Sequence, residues 1–223
     1  MKLATFVNAQ GRPAIGVVDT ARDAILDLAE AARATGGDDP DFRDMLALID
    51  AGPAGLDKAR ALAARWPEEA TRPLQGTRLL APLPEPRQMR DCLVFEEHLR
   101  NSREQQARRS GTEPPPIPQV WYEQPIYYKC NRFSVVGPDA DVIWPRYSNH
   151  MDYECEMACI IGKTGKDIDP AKAMEHIFGF TIFNDFSARD AQYREMAGRL
   201  GPAKGKDFDT GNVLGPWIVT TEI

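Results

Sequence analysis

The sequence predicts an α+β chain in two parts: a small α+β unit over residues 1–75 and a mainly β roll or sandwich over 78–223. Three observations predict it. The first 75 residues combine two strand-like runs with three alanine-rich segments of helical character. Residues 67–77 carry Pro67, Pro73 and Gly76 among charges, the composition of a linker. From Arg78 onward the chain is strand-rich and punctuated by glycine and proline, which favours many short strands.

The elements follow in order. Residues 3–8 and 14–19 read as two strands joined by Ala9-Gln10-Gly11-Arg12, a hairpin signal. Residues 23–35 carry Ile25, Leu26, Leu28 and Ala29 and read as a first helix. A second has Asp39 as N-cap and Pro40 in its first turn, with Phe42, Met45, Leu46 and Ile49 at helical spacing. Gly52 and Pro53 stop it, and a third helix covers 56–66. The later strands fall at 91–95, 126–129, 133–136, 142–144, 153–161, 178–184 and 217–221, with helices beginning at Asp169-Pro170 and near Ser187. Residues 96–119 are polar, charged and end in Pro114-Pro115-Pro116-Ile117-Pro118. They read as a long irregular connection, either a lid over a binding site or a surface insertion.

Composition narrows the function classes. With 43% hydrophobic residues in 223, the chain can bury a core without staples and is not disordered. No apolar run approaches the roughly 18 residues of a membrane span. The first residues turn polar at Asn8, too early for a secretory signal, so a cytoplasmic protein is expected. A balance of 27 basic to 33 acidic side chains, net −6, argues against nucleic-acid binding, which draws its affinity from phosphate neutralisation. Cys92, Cys130, Cys155 and Cys159 form no C-x-x-C pair, which disfavours a zinc site. Cys155 and Cys159 share a strand face and are expected as buried free thiols.

The segment Tyr153-Glu154-Cys155-Glu156-Met157-Ala158-Cys159-Ile160-Ile161 is the most informative. Alternation on a strand puts Glu154 and Glu156 on one face, roughly 7 Å apart. Such like charges call for neutralisation, by solvent or by a hard cation with oxygen ligands. Asp185, at the end of the next predicted strand, either completes an all-oxygen site or caps the helix that follows. The turn Lys204-Gly205-Lys206-Asp207-Phe208-Asp209-Thr210-Gly211 could bring a lysine to an anionic substrate, though it is not a P-loop. His98, at the start of the polar stretch, is a general-base candidate or an ordinary surface histidine. His176 reads as a helix C-terminal residue.

Several of these runs together resemble the fumarylacetoacetate hydrolase family. They are Leu79-Leu80-Ala81-Pro82, Asp152-Tyr153-Glu154-Cys155-Glu156, Asn184-Asp185-Phe186-Ser187-Ala188-Arg189-Asp190, Gly205-Lys206-Asp207-Phe208-Asp209-Thr210 and Leu214-Gly215-Pro216-Trp217. The resemblance covers residues 78–223 and implies a mixed β-roll catalytic domain around a divalent cation: Mg²⁺, Mn²⁺ or Ca²⁺. It implies Glu154, Glu156 and Asp185 as metal ligands, with Asp91 near or on the metal. It implies His98 as the base, Arg189 and Lys206 as catalytic cations, and Gln192, Lys129 and Tyr128 as substrate contacts. Asp209 and Thr210 match a second cation site or its loop.

The activity implied is metal-dependent hydrolysis of a C–C bond in a 1,3-dicarbonyl or acylpyruvate-type acid. Decarboxylases, hydratases and isomerases share the same parts. A non-catalytic paralogue is a third reading. A small keto acid is the expected partner and a homodimer the expected assembly. Val94 and Phe95 replace a polar pair common before the lid histidine, and Asn101 follows His98 where many members have glutamate. Members usually continue well past the Pro216-Trp217-Ile218-Val219-Thr220 strand with further strands and an oxyanion segment; this sequence lacks them and reads as a truncated chain or as part of a longer one.

Overall fold

In the computed structural model, residues 1–221 are described. Strands β1 (Lys2–Val7), β2 (Pro13–Asp19) and β3 (Ala24–Asp27) open the chain, followed by α1 (Leu28–Thr35) and α2 (Met45–Arg65). Short strands β4 (Thr71–Pro73), β5 (Leu79–Leu80) and β6 (Arg90–Cys92) lead to helices α3 (Glu96–Ser110) and α4 (Gln119–Glu123). Then come β7 (Tyr127–Lys129), β8 (Val135–Val136), β9 (Met151–Asp152), β10 (Cys155–Ile161) and β11 (Ile177–Asp185). The series ends with β12 (Ser187–Ala188), α5 (Arg189–Met196) and β13 (Asn212–Thr220). The α+β class holds: helices accompany one large, mainly antiparallel sheet.

Among the described residues that sheet has nine strands in the order β10-β11-β13-β1-β2-β3-β4, with β5 also on β1 and β8 on β13. The pairing of β1 with β13 (Lys2 opposite Val219, Leu3 opposite Ile218) joins the first strand to the last. Both halves of the sequence therefore share one sheet. Leu3, Val17 and Leu26 line one face of it and pack with Phe42, Leu48 and Leu62 from the helical layer. Ala4, Phe6, Ala14 and Ile25 point to the other face. Strands buried on both sides lose the alternating pattern and read as continuous apolar runs.

That explains the first correction. Residues 23–35 are not one helix: Ala24–Asp27 is a fully buried strand, and the helix starts at Leu28. Asp27 ends the strand and caps the helix, its carboxylate accepting from the Glu30 amide at 3.0 Å. A fully apolar run carries no period to separate the two. Asp39 and Pro40 do start a turn, but a 3₁₀ turn over Pro40–Phe42. The α-helix begins at Met45, with Asp44 accepting from the Ala47 amide. Gly52 breaks it as expected, through φ of 59°.

Residues 67–77 are not a bare linker either. β4 pairs with β3 as an edge strand, Ala24 opposite Pro73, a position where proline costs no ladder bond. Residues 142–144 form no strand; the Ile143 amide donates instead to the Thr210 hydroxyl at 2.7 Å. Residues 96–110 are helical, not irregular. This helix has almost no apolar face. It carries Glu96–Arg100 and Glu104–Arg108 pairs at i,i+4, the kind of support a polar helix relies on. Gly111, at φ of 66°, ends it.

The four cysteines are free, with Cys92, Cys155 and Cys159 exposed. Cys155 and Cys159 do share a face of β10, but it is the open one, where Met157 and Ile161 also lie. Parity was readable; which face met the core was not. Among the described residues no helix is long and apolar enough to cross a membrane.

Candidate metal centre

Four carboxylates converge where β10, β11 and β6 meet. Asp91, Glu154, Glu156 and Asp185 each bring an oxygen within 4.8 Å of the others. Glu154 and Asp185 are cross-strand neighbours, since the Asp185 amide donates to the Glu154 carbonyl at 3.2 Å. Glu156 follows on β10, half-buried and on the same face as Glu154, as strand alternation expects. Asp91 is the middle residue of β6, opposite Tyr128 on β7. The helix-cap reading of Asp185 is not realised: α5 has Ala188 at its N-cap, and Asp185 is fully buried.

Two cations face the cluster. Lys206, only 4% exposed, donates to Glu154 Oε2 at 2.6 Å and to Asp185 Oδ2 at 2.5 Å. Arg189 donates to Glu154 Oε1 at 2.6 Å, to Asp152 Oδ2 at 2.9 Å and to Gln192 Oε1 at 3.0 Å. The Tyr128 hydroxyl donates to Asp185 Oδ2 at 2.5 Å. Tyr128 thus holds a candidate ligand carboxylate. Its strand neighbour Lys129 alternates to the exposed side.

The electrostatics are those of a site short of positive charge. Burial, then Asp91, Asp185 and Glu154, push the Glu156 carboxyl up to about 8. Burial pushes Asp185 up to about 6 despite Lys206 beside it. Asp91 is raised, again by burial first. Glu154 alone is held low: burial opposes its ionisation, but Lys206 and Arg189 together outweigh it. Asp185 Oδ1 is buried and has no hydrogen-bond partner, a costly state for a carboxylate oxygen. Four carboxylates against two cations, with an oxygen left over, are an all-oxygen donor set that fits a hard divalent ion.

His98 is not among the grouped residues. It is exposed on the first turn of α3. Gln192 is placed through Arg189 alone. Thr210 stabilises its own turn, accepting from Ile143 and donating to the Asp209 carbonyl at 2.6 Å. Sequence reasoning missed Asp152 as the second anchor of Arg189; its signal was its position two residues before Glu154. It also missed Cys130, whose thiol lies near Asp185 and Asp91 and is pushed up to about 12 by burial and then by those charges.

The family model described as fumarylacetoacetate (FAA) hydrolase C-terminal matches residues 89–223. The human mitochondrial oxaloacetate tautomerase FAHD2A is 35% identical over 181 residues, covering 81% of this chain and 52% of that protein. The fumarylacetoacetase of rice is 39% identical over 124 residues, covering 48% of this chain and 28% of the relative. Among solved structures, maleylpyruvate hydrolase from Sphingobium, in complex with manganese(II) and pyruvate, is 25% identical with a TM-score of 0.67, covering all of this chain and 68% of that one. Fumarylacetoacetate hydrolase from Exiguobacterium antarcticum is 26% identical with a TM-score of 0.66, covering 99% and 66%. The chain spans about half the length of the human tautomerase it matches. By the extent of the family match and of these likenesses, the chain belongs to the fumarylacetoacetate hydrolase family.

Proposed function

We propose that this chain is a divalent-metal enzyme acting on a small 2-oxo acid of 1,3-dicarbonyl or acylpyruvate type through an enolate, with C–C bond hydrolysis as its reaction. The carrying observation is the buried Lys206 ammonium set between Glu154 and Asp185 within a carboxylate cluster that needs further positive charge. Asp91, Glu154, Glu156 and Asp185 would hold the ion. A divalent cation in such a place supplies Lewis-acid polarisation of a carbonyl oxygen. Lys206 brings a fixed positive charge to the same spot, where negative charge develops as an enolate forms. Lys206 and Arg189 together keep Glu154 ionised, and Arg189 orients it, with Asp152 and Gln192 fixing the guanidinium. Tyr128 holds Asp185 in place from β7. The manganese and pyruvate of the Sphingobium neighbour support the ion and the acid class.

A second reading has a specific observation behind it. His98, the expected water-activating base, is exposed and apart from the cluster. Enol–keto interconversion needs no attacking water, and a relative over most of this chain is an oxaloacetate tautomerase. The test is direct. With Mn²⁺, cleavage of an acylpyruvate is followed by product analysis, and decay of enol-oxaloacetate by ultraviolet absorbance. Acylpyruvate cleavage that Glu156→Ala abolishes supports the hydrolase. Tautomerisation without cleavage, also lost in Glu156→Ala, supports the second reading. Neither activity refutes both.

A further inference from the structure

We propose that Glu195 is the positioning residue for Lys206, holding the 203–206 loop so that the lysine reaches the carboxylate cluster. The proposal rests on the enolate-forming reading of that cluster. Glu195 lies on α5, six residues past Arg189 and three past Gln192. One of its oxygens, Oε1, accepts from two backbone amides, Ala203 at 2.9 Å and Gly205 at 3.0 Å. Gly205 is pinned on its other side too, its carbonyl accepting from the Ala188 amide at 2.8 Å. The Lys206 amide turns back onto the Ala203 carbonyl at 3.0 Å. The backbone on the N-terminal side of Lys206 is thereby tied to α5 and to the residue that caps it.

The packing explains why a glycine stands there. A Cβ at Gly205 would lie 2.6 Å from the Gln192 Cβ and 2.9 Å from Glu195 Oε1. The loop therefore sits directly on the helix, with only backbone between Glu195 and Lys206. A lysine side chain is long and flexible, and side-chain entropy disfavours fixing it in one place. Here the ammonium is 4% exposed and bonded to two carboxylates. Two charge-assisted bonds from one carboxylate to the loop's amides supply the rigid base for that. One helix thus orients both cations of the site: Arg189 by carrying it, Lys206 through Glu195.

The test compares the full chain with Glu195→Gln, which keeps an acceptor oxygen at the same reach, and Glu195→Ala, which removes it. Acetic anhydride labelling at one fixed pH, quantified by peptide mass spectrometry, reads Lys206 against the 89%-exposed Lys166 in the same digest. Glu195→Ala is expected to raise Lys206 labelling by at least about tenfold, roughly what losing one of its two charge-assisted hydrogen bonds is worth, while Glu195→Gln stays near the parent. With turnover available, kcat should fall about 10- to 100-fold in Glu195→Ala at nearly unchanged KM, because the lysine's charge serves the transition state. Should Glu195→Ala fail to fold, Glu195→Asp, whose carboxylate stops one methylene short, is measured in its place. Unchanged labelling in the Ala and Asp variants, or equal acceleration in Glu195→Gln, would overturn the proposal. A parent without turnover refutes the catalytic reading and leaves the labelling comparison to decide Glu195's role.

Discussion

Glu156 sits among three other carboxylates, and its protonation has a thermodynamic consequence. Burial, then Asp91, Asp185 and Glu154, push its carboxyl up to about 8 in the native protein, against an ordinary value of 4.5. Between those values the unfolded chain has released a proton that the native chain keeps, so this residue costs stability as pH rises. Glu156→Gln removes that cost. In chelator-treated protein the variant's melting temperature is expected to climb relative to the parent's from about pH 5 to about pH 8; a constant gap would contradict it. With Mn²⁺ at about 100 times its dissociation constant, the parent should gain roughly 2.7 kcal/mol, and Asp185→Ala or Glu154→Ala should lose that gain in the same melting assay. At this scale the sequence was legible where a backbone rule fixed the side chain. Strand alternation put Glu154 and Glu156 on one face, and the end of the next strand brought Asp185 beside them. His98 had no such rule behind it, and for Lys129 alternation works the other way, since Tyr128 beside it faces the cluster. A helix replaced the irregular stretch and left the first exposed, and the short pairing of β6 with β7 turned the second outward.

Among the elements, β11 is held between β10 and β13 and has no room to spare. A Cβ at Gly179 would lie 2.4 Å from the Val219 carbonyl oxygen. Gly179→Ala is therefore expected to destabilise by about 1–3 kcal/mol, measured by urea titration, whereas Gly11→Ala meets no neighbour and is strained only through its φ of 72°. Capping gives a second, smaller test. Asp44→Ala removes the acceptor for the Ala47 amide at 2.8 Å and should cost about 1 kcal/mol. Period and punctuation found the β1–β2 hairpin and the break at Gly52, because glycine and turn residues mark them locally. They failed at β3 and at α3 for opposite reasons. One is apolar on every side and the other polar on every side, so neither carries a one-faced stripe.

The whole molecule is tied together by β1 against β13 and by a core that draws Leu3, Leu48, Phe178 and Ile218 into one cluster. Residues more than 200 positions apart in sequence thus unfold as neighbours. Leu48→Ala, far from the carboxylates, should cost about 2–5 kcal/mol. It should move a single cooperative transition, read alike by tryptophan fluorescence and by loss of Mn²⁺ response; two separated transitions would show the halves to be independent. The change of texture near residue 75 was visible in composition. The shared sheet was not, because pairing between the first and last strands is set by three-dimensional closure and leaves no local mark.

The indole of Trp121 donates to the Leu93 carbonyl at 2.7 Å, two residues beyond Asp91, and its ring meets Tyr122 edge-on at 4.9 Å. That gives the chain a built-in optical probe. Any movement of α4 away from Leu93 breaks that indole hydrogen bond and alters the ring's surroundings. Emission from Trp121, isolated by replacing Trp66, Trp144 and Trp217 with phenylalanine, would then report the position of α4 while ligands are titrated, without a label attached to the protein.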